Sequence, residues 1–256
     1  MTAPRFYLPP ERCNHGPLQL AEREAHHALH VLGVKRGEEV VVLDGVGHEF
    51  LCEIADVSRD VATLRVKQKD TVPPSPCSIT LLPAVPKGKI IESIIQKSVE
   101  LGAHRIVPLL TERVVTHLGE KEKANKREKW QLVAIEAIKQ CGAAWLPKIE
   151  TPLTIEQFLV WQEKFDLSLV GSLQTGRRHP RECFQEFQSK RGRRPQSVAI
   201  WIGPEGDFTP NELNAIQASG AVPISLGCLV LRVETAAIYC LSVLNYELNS
   251  KPESKL

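Results

Sequence analysis

At 256 residues, the chain is long enough for one large domain or two ordinary ones. Hydrophobic residues make up 43% of it and charged residues 24%, the balance of a water-soluble globular protein with enough apolar material for a core. The formal net charge of +2 indicates no particular partner. No apolar run approaches the roughly 18 residues of a membrane span, and the N-terminal MTAPRFYLPP has no apolar segment of a secretory signal. We therefore expect no membrane partner.

The cysteines and histidines argue against a metal site. Seven cysteines are scattered without a C-x-x-C pair, which is atypical of a disulfide framework or a structural zinc site and favours a reducing, cytoplasmic location. His26 and His30 form an i, i+4 pair on a predicted helix, but the sequence supplies no third ligand beside them. We expect these histidines to lie on the surface or to face RNA, and we expect no metal.

The proline-rich stretch QKDTVPPSPC, residues 68–77, predicts an extended connector between two domains. Before it, the sequence of residues 40–66 predicts short strands separated by Asp-Gly and Ser-Arg-Asp turns. A helix is predicted around residues 22–32. The sequence thus predicts a small β-rich module over residues 1–72 and a second domain over residues 73–256. A barrel is one form that the β-rich module could take.

After the connector, predicted strands and helices alternate. Strands are predicted at SITLLPAV, RIVPLL, DLSLVG, SVAIWIG and AVPISLG, and helices at KIIESIIQKSVELG, KREKWQLVAIEAIKQCG and VETAAIYCLSVLNYEL. Thr209-Pro210-Asn211-Glu212 combines a capping box with proline at the first helical position, which predicts one more helix start. This alternation indicates an open α/β domain with a mostly parallel sheet.

Three of the predicted strands end in a glycine, at Gly171, Gly203 and Gly227. Ligands of open α/β sheets bind beyond the carboxyl ends of the strands, and glycine lets the backbone approach a ligand closely. If the three strands are neighbours, their ends form a backbone-lined pocket. The alternative is that each glycine only makes a turn.

Common nucleotide-binding and hydrolase motifs are missing. The chain has no G-x-G-x-x-G and no G-x-S-x-G, and residues 171–178 have P-loop glycine spacing without the lysine and hydroxyl that hold phosphate and magnesium. Seven Lys/Arg lie within residues 176–195 against two Glu. That segment indicates either a polyanion partner or a solvated basic loop.

The C-terminal motifs resemble those of a known family. GPEGDFT at 203–209, then Leu226-Gly227 and LRVETA at 231–236, resemble the two signatures of the RsmE family, SPOUT-class methyltransferases that modify N3 of a uridine in 16S ribosomal RNA. The resemblance continues through QKSVELG at 96–102, TER at 111–113, and Arg5-Phe6, His27 and Gly37 in the N-terminal module. It covers nearly the whole chain.

The resemblance implies an α/β fold of two parts. These are an N-terminal PUA-like β-barrel that binds RNA, over residues 1–72, and a C-terminal SPOUT α/β-knot domain, a trefoil-knotted parallel sheet, over residues 73–256. It also implies a homodimer, S-adenosylmethionine (SAM) as the cofactor without a metal, and 16S rRNA or the 30S subunit as the partner.

The same resemblance implies the site residues. SAM is expected against the loops that contain Val170, Gly171, Ile202, Gly203, Pro204, Gly206, Leu226, Gly227 and Leu231. RNA contacts are expected from Arg5, His27, Lys35, Arg36, Lys97 and Arg113. Arg232 could stabilise the developing uridine oxyanion and Glu205 could take the N3 proton. Their alternatives are a salt bridge from Arg232 to Glu205 or Glu234, and a loop-bracing role for Glu205.

The chain departs from the family pattern at two places. Gly33 stands where the family has an arginine, and Ala143-Ala144 follows Cys141-Gly142 where an arginine is usual. Two other functions remain open. One is a SPOUT methyltransferase that acts on another RNA position or on a ribose 2′-hydroxyl, and the other is a non-catalytic RNA-binding protein of the ribosome.

Overall fold

A computed structural model describes residues 3–14, 17–113 and 118–249 of the chain. The fold divides into two compact units, one formed by residues 1–74 with 135–146 and the other by residues 75–134 with 147–256. Among the described residues, no helix is long and apolar enough to cross a membrane. All seven cysteines are free thiols.

The first unit is built on a five-stranded sheet. Its elements are β1 (Arg5–Tyr7), α1 (Pro10–Cys13), β2 (Gln19–Ala21), α2 (Glu22–His26), a π-helical turn (His27–Val31), β3 (Glu39–Leu43), β4 (His48–Val57) and β5 (Val61–Thr71). The strand order is β1-β3-β4-β5-β2, with β1 parallel to β3 and the other pairs antiparallel. The strands predicted within residues 40–66 and the helix around residues 22–32 are confirmed.

The core of this unit follows from the alternation of its strands. In β4, Phe50, Cys52 and Ile54 are buried while the residues between them are partly exposed, because successive side chains point to opposite faces of a strand. Phe6 from β1 and Ala28 from the π-helical turn complete the cluster with Leu20, Val40, Val42 and Leu64.

Residues 144–146 pack against the turn between β3 and β4. The amide of Gly47 donates to the carbonyl of Ala144 at 3.0 Å, and the amide of Leu146 donates to the carbonyl of Gly45 at 2.9 Å. The indole Nε1 of Trp145 donates to the carbonyl of Val72 at 3.0 Å. Ala144 is buried in this contact and therefore has a packing role.

We predict that Gly47→Ala destabilises the protein by about 2–4 kcal/mol, measured by denaturant unfolding. Gly47 has φ +99°, and a Cβ there would lie 2.6 Å from the Trp145 ring, so backbone strain adds to overpacking. Gly37→Ala is the matched control, because Gly37 has φ +89° and open space around its Cβ position. It should cost only the strain, about 1–2 kcal/mol. Equal losses for the two variants would contradict the packing role.

The second unit contains the alternating strands and helices. In chain order these are β6 (Ser78–Pro83), α3 (Ile90–Glu100), β7 (Arg105–Ile106), β8 (Leu109–Leu110), α4 (Glu120–Cys141), β9 (Lys148–Ile149), β10 (Leu153–Thr154), α5 (Ile155–Leu159), β11 (Leu167–Gly171), α6 (Pro180–Arg191), β12 (Ser197–Ile202), α7 (Pro210–Ala218), β13 (Val222–Ile224) and α8 (Val233–Asn249). Helix α4 ends in residues 135–141, which belong to the first unit.

Six of these strands form one parallel sheet in the order β13-β11-β12-β6-β7-β9, and β8 and β10 form a separate parallel pair. Helices α5 and α7 cover one face of the sheet, where Trp201 packs edge-on against Phe158 at a centroid distance of 5.2 Å. The predicted open, mostly parallel α/β domain is confirmed. The capping box at Thr209 and Glu212 begins α7 as predicted.

Two local predictions were wrong. The segment RIVPLL forms two short strands in different sheets, because Pro108 has no amide hydrogen to continue the ladder. The strand AVPISLG ends at Ile224, three residues before Gly227. The basic segment at residues 176–195, for which a solvated loop was one of two alternatives, contains the helix α6.

A carboxylate connects β11 and β12 at their amino ends. Asp166 accepts hydrogen bonds from the amide of Gln196 at 2.7 Å and from the guanidinium of Arg193 at 2.7 and 2.9 Å. The hydrogen bond from Arg193 is the main reason that the pKa of Asp166 falls to about 2. The carboxylate is therefore ionised throughout the neutral range and stabilises this end of the sheet.

Candidate functional site

The strands that precede the three glycines are neighbours in the sheet. Gly171 at the end of β11 is paired with Ile202 of β12 on one side and with Ile224 of β13 on the other. The loops after these strands therefore leave the sheet at the same edge, which is the usual ligand-binding edge of an open α/β sheet.

These loops enclose a pocket with about 520 Å³ of empty space, partly open to solvent. The glycines supply backbone to its wall, and most of the side chains are aliphatic. The lining residues are Gly171, Ser172, Leu173, Arg177, Ile202, Gly203, Pro204, Glu205, Asp207, Leu226, Gly227, Leu229, Val230, Leu231, Val233 and Ala236.

The loop after β11 is held against β13 by backbone hydrogen bonds. The amide of Ser172 donates to Ile224 at 3.2 Å, and the amide of Arg178 donates to Pro223 at 3.0 Å. The amide of Ser225 in turn donates to the carbonyl of Arg178 at 2.9 Å. The loop thus returns to the sheet edge and forms one wall of the pocket.

The loop after β12 is a tight turn that leads directly into α7. Gly203 lies so close to Phe208 that a Cβ at position 203 would be 3.1 Å from the Phe208 amide nitrogen. The amide of Asp207 donates to the carbonyl of Pro204 at 2.8 Å, which closes the turn. This compactness explains why a glycine stands immediately after the strand.

The buried carboxylate in the turn belongs to Asp207, and the exposed one belongs to Glu205. Asp207 is 6% exposed and accepts the amides of Leu173 and Phe208, whereas Glu205 has no hydrogen-bond partner among the described residues. The bracing role considered for Glu205 is therefore performed by Asp207. The sequence carries only a weak signal for this role of Asp207. It shows a short polar residue, of a type that tolerates φ +65°, in a turn after Gly206.

All but two of the predicted cofactor residues line the pocket. One exception is Val170, whose side chain is fully buried in the core, and the other is Gly206. A Cβ at Gly206 would lie 3.4 Å from the Arg113 side chain, so Gly206 borders that arginine. Neither residue is on the pocket wall, and a contact of either with SAM stays a prediction.

Arg232 is exposed and is not part of the pocket wall, although its neighbours Leu231 and Val233 are. Within the part of the chain that the structure describes, no ion pair joins Arg232 to Glu205 or Glu234. The salt-bridge alternative for Arg232 therefore has no support in the fold.

The predicted RNA contacts of the first unit have different environments. Arg5 donates to the carbonyl of Gln140 at 3.2 Å and packs against Gly142, and the His27 ring contacts Phe6 edge-on at a centroid distance of 6.0 Å. Both side chains therefore have structural partners. Lys35 and Arg36 are exposed in the turn before β3. They lie close to Gly33, one of the positions where the sequence departs from the family pattern.

Several cations of the second unit have partners within the chain. Lys97 lies 2.9 Å from Glu100, and Arg113 donates to the Asp207 carbonyl at 3.2 Å. In and around α6, Arg178 and Lys190 both pair with Glu186. The basic segment therefore offers less free positive charge than its composition indicates.

The described residues do not group into a metal site, and Cys240 is not a reactive thiol. No group of three or more His, Cys, Asp or Glu side chains there could hold a metal ion. Burial raises the pKa of Cys240 in α8 to about 12, so that residue is a neutral thiol at physiological pH and not a nucleophile.

Comparison with known sequences supports this architecture. The profile of an RNA methyltransferase domain matches residues 73–245, and that of an RNA methyltransferase PUA domain matches residues 20–67. The chain is 31% identical over 225 residues to ribosomal RNA small subunit methyltransferase E of Bacillus subtilis, covering 88% of each chain. It is 32% identical over 251 residues to the Synechocystis enzyme of that name, covering 96% of this chain and 78% of the relative.

Solved structures agree with the sequence comparison. A methyltransferase from Legionella pneumophila in complex with bound SAM is 33% identical and superposes with a TM-score of 0.86 over 96% of this chain and 98% of its own. A ribosomal RNA small subunit methyltransferase E from Neisseria gonorrhoeae, 24% identical over 96% of this chain and 98% of its own, has the same fold with a TM-score of 0.82. The predicted combination of a PUA-like N-terminal domain with an α/β methyltransferase domain is confirmed.

Proposed function

The chain belongs to the ribosomal RNA small subunit methyltransferase E family, and we propose on that basis that it methylates N3 of a uridine in 16S ribosomal RNA. SAM is the proposed cofactor. The observation that carries the proposal is the glycine-lined pocket at the ends of β11, β12 and β13. Its turn, GPEGDFT, and the LRVETA segment are the two motifs by which the sequence resembles this family.

The chemistry of the pocket fits SAM. Aliphatic side chains and glycine backbone suit an adenine ring, and the carboxylates of Glu205 and Asp207 suit a cationic sulfonium. When bound, SAM supplies an electrophilic methyl group. We assign Gly171, Gly203, Gly227 and Leu226 to holding it, together with Ile202, Pro204 and Leu231. Arg177 lines the same pocket, and its guanidinium is suited to bind the carboxylate of SAM.

Glu205 and Arg232 are the proposed catalytic residues. Uridine N3 must lose its proton to become a nucleophile, and the exposed carboxylate of Glu205 is placed on the pocket wall to accept it. Arg232 stays protonated at neutral pH and can donate hydrogen bonds to a uracil carbonyl oxygen. Positive charge at that oxygen favours the N3 anion, because the negative charge spreads onto the carbonyl groups.

The remaining parts of the proposal concern assembly. We propose that residues 1–72 act as the RNA-binding domain and residues 73–256 as the catalytic domain, with a trefoil knot in the parallel sheet.

A homodimer is proposed as well, and exposed apolar side chains such as Leu229, Val230 and Tyr246 supply surface that a second copy could cover. The free cysteines are consistent with work in the cytoplasm on 16S rRNA or the 30S subunit.

The test of this function is a methylation assay with SAM on 16S rRNA and on 30S subunits from cells that lack the gene. Nuclease digestion and mass spectrometry should then locate one 3-methyluridine. A methyl group on another base or on a ribose 2′-hydroxyl would replace the proposed target. Binding of RNA without methyl transfer to either substrate would support the non-catalytic alternative.

We predict that Gly203→Val raises the dissociation constant for SAM at least about tenfold, which is 1.4 kcal/mol. A Cβ there would lie 3.1 Å from the Phe208 amide and 3.2 Å from the Asp207 carboxylate, so these neighbours must give way, and the methyl groups of valine add to the crowding of the turn. Isothermal titration calorimetry measures the change. Gly119→Val is the control, since its Cβ would have no neighbour closer than 3.8 Å. Unchanged SAM affinity in a folded Gly203→Val protein would refute the pocket assignment.

We predict that Arg232→Ala lowers turnover by roughly 10²–10³-fold, the range for loss of one oxyanion donor, with little change in SAM affinity. Arg232→Lys should rescue poorly because an ammonium lacks the planar pair of donors. Raising the pH should partly restore the Ala variant, because hydroxide then forms the uridine anion. Single-turnover rates at saturating SAM measure the effect.

The opposite result for Arg232 would be a loss of SAM affinity with an unchanged rate at saturating SAM. Arg232 would then be a cofactor ligand and not a catalytic residue. Lys148→Ala is a suitable control, because the Lys148 ammonium is paired with Glu150 at 2.8 Å and has no assigned role in the site.

We predict that the double variant Lys35→Ala, Arg36→Ala weakens binding to a 16S rRNA fragment and reduces the slope of log K against log salt by about 1–2, since each lost phosphate contact removes about one. SAM affinity should not change. Lys67→Ala is the control, because Lys67 lies in the same unit and is paired with Glu39 at 2.7 Å. An unaltered slope would exclude this turn from the RNA interface. Deletion of residues 1–72 is a poorer test, since residues 135–146 pack with that unit.

A further inference from the structure

Asp207 is an unusual residue within the turn that follows β12. Its backbone has φ +65°, in the left-handed region that most residues other than glycine avoid, and its side chain is almost completely buried. It lines the pocket and lies against Gly203, whose Cβ position would be 3.2 Å from Oδ1. A buried charge in a strained conformation needs compensating contacts.

Those contacts come from the backbone of two different loops. Oδ2 accepts the amide of Leu173, in the loop after β11, at 2.9 Å, and Oδ1 accepts the amide of Phe208, in its own turn, at 2.8 Å. Among the described residues, no cationic side chain pairs with this carboxylate. Both oxygens are thus used to join two walls of the pocket.

The main chain of Asp207 adds two further connections. Its amide closes the turn onto the carbonyl of Pro204 at 2.8 Å, and its carbonyl accepts Nη1 of Arg113 at 3.2 Å. One residue therefore connects the loop after β11, the turn after β12 and the arginine beside Gly206. The backbone ladder joins the strands themselves, and beyond their ends the Asp207 carboxylate accepts a hydrogen bond from each of the two loops.

We propose that Asp207 is a positioning residue, which holds the loops after β11 and β12 at the separation that SAM requires. The inference rests on SAM being the cofactor. It goes beyond that proposal because it states which residue keeps the empty pocket in the right shape, although that residue takes no part in the reaction. Binding to a preformed site avoids the free-energy cost of ordering two loops when the ligand enters. Loss of the carboxylate should therefore weaken SAM binding more than it weakens the fold.

Asp207→Asn tests the proposal with little change in size. Asparagine tolerates the left-handed conformation, but its amide group replaces one acceptor by a donor that faces a backbone N–H. We expect the dissociation constant for SAM, measured by calorimetry, to rise at least about tenfold with only a small shift of the melting temperature. Asp207→Gly should weaken binding similarly, because it relieves the backbone strain but removes both acceptors.

Asp166→Asn is the matched control. Asp166 also accepts backbone and side-chain donors between β11 and β12, but at the amino ends of the strands, away from the pocket. That variant should lower the melting temperature and leave SAM affinity unchanged. If Asp207→Asn behaves like Asp166→Asn, with lower stability and unchanged SAM affinity, Asp207 is a structural residue and the proposal is overturned.

Hydrogen exchange supplies a readout that needs no ligand. In the parent protein the amides of Leu173 and Phe208 should be protected, and Asp207→Asn should speed exchange of at least the Leu173 amide about tenfold or more, which Asp166→Asn should not do. Unchanged exchange at both amides would overturn the proposal even if the variant bound SAM weakly. If the parent protein binds no SAM, the proposed cofactor fails and the exchange data still decide whether Asp207 holds the two loops.

Discussion

The candidate site depends on the register in which β11 pairs with the strands on both sides of it. Gly171 is opposite Ile202 and Ile224, so three loops leave the parallel sheet at the same level. Because side chains alternate along a strand, a slip of one residue would turn the buried face of β11 outward and move its loop along the sheet edge. The pocket is therefore a consequence of backbone pairing, and its side chains only line the space that this pairing creates.

The two carboxylates in the turn after β12 have different environments. Asp207 is buried and spends its oxygens on backbone amides, whereas Glu205 remains exposed on the pocket wall. A carboxylate that accepts two buried amides is held in one position. Asp207 and Pro204 are buried, while Glu205 stays exposed, as its proposed role as proton acceptor requires.

Positive charge is less available in this fold than its residue count implies. Arg178 and Lys190 share Glu186, and Arg193 is paired with Asp166. Pairs of this kind in partly exposed positions add little stability, but they reduce the field that a polyanion would meet. An argument for RNA binding is therefore better made from exposed cations such as Lys35 and Arg36 than from the density of arginines along the chain.

The sequence by itself determined the alternation of strands and helices, the capping box of α7 and the glycines beside the pocket, because periodicity, capping and turn chemistry act over a few neighbouring residues. Its resemblance to a family identified the motifs of the site. Only the tertiary structure decided that Val170 is buried, that Gly206 borders Arg113, that Asp207 joins two loops, and that residues 135–146 pack with the first unit. These features depend on contacts between residues far apart in the chain, and local sequence patterns do not encode which distant partner fills a given space.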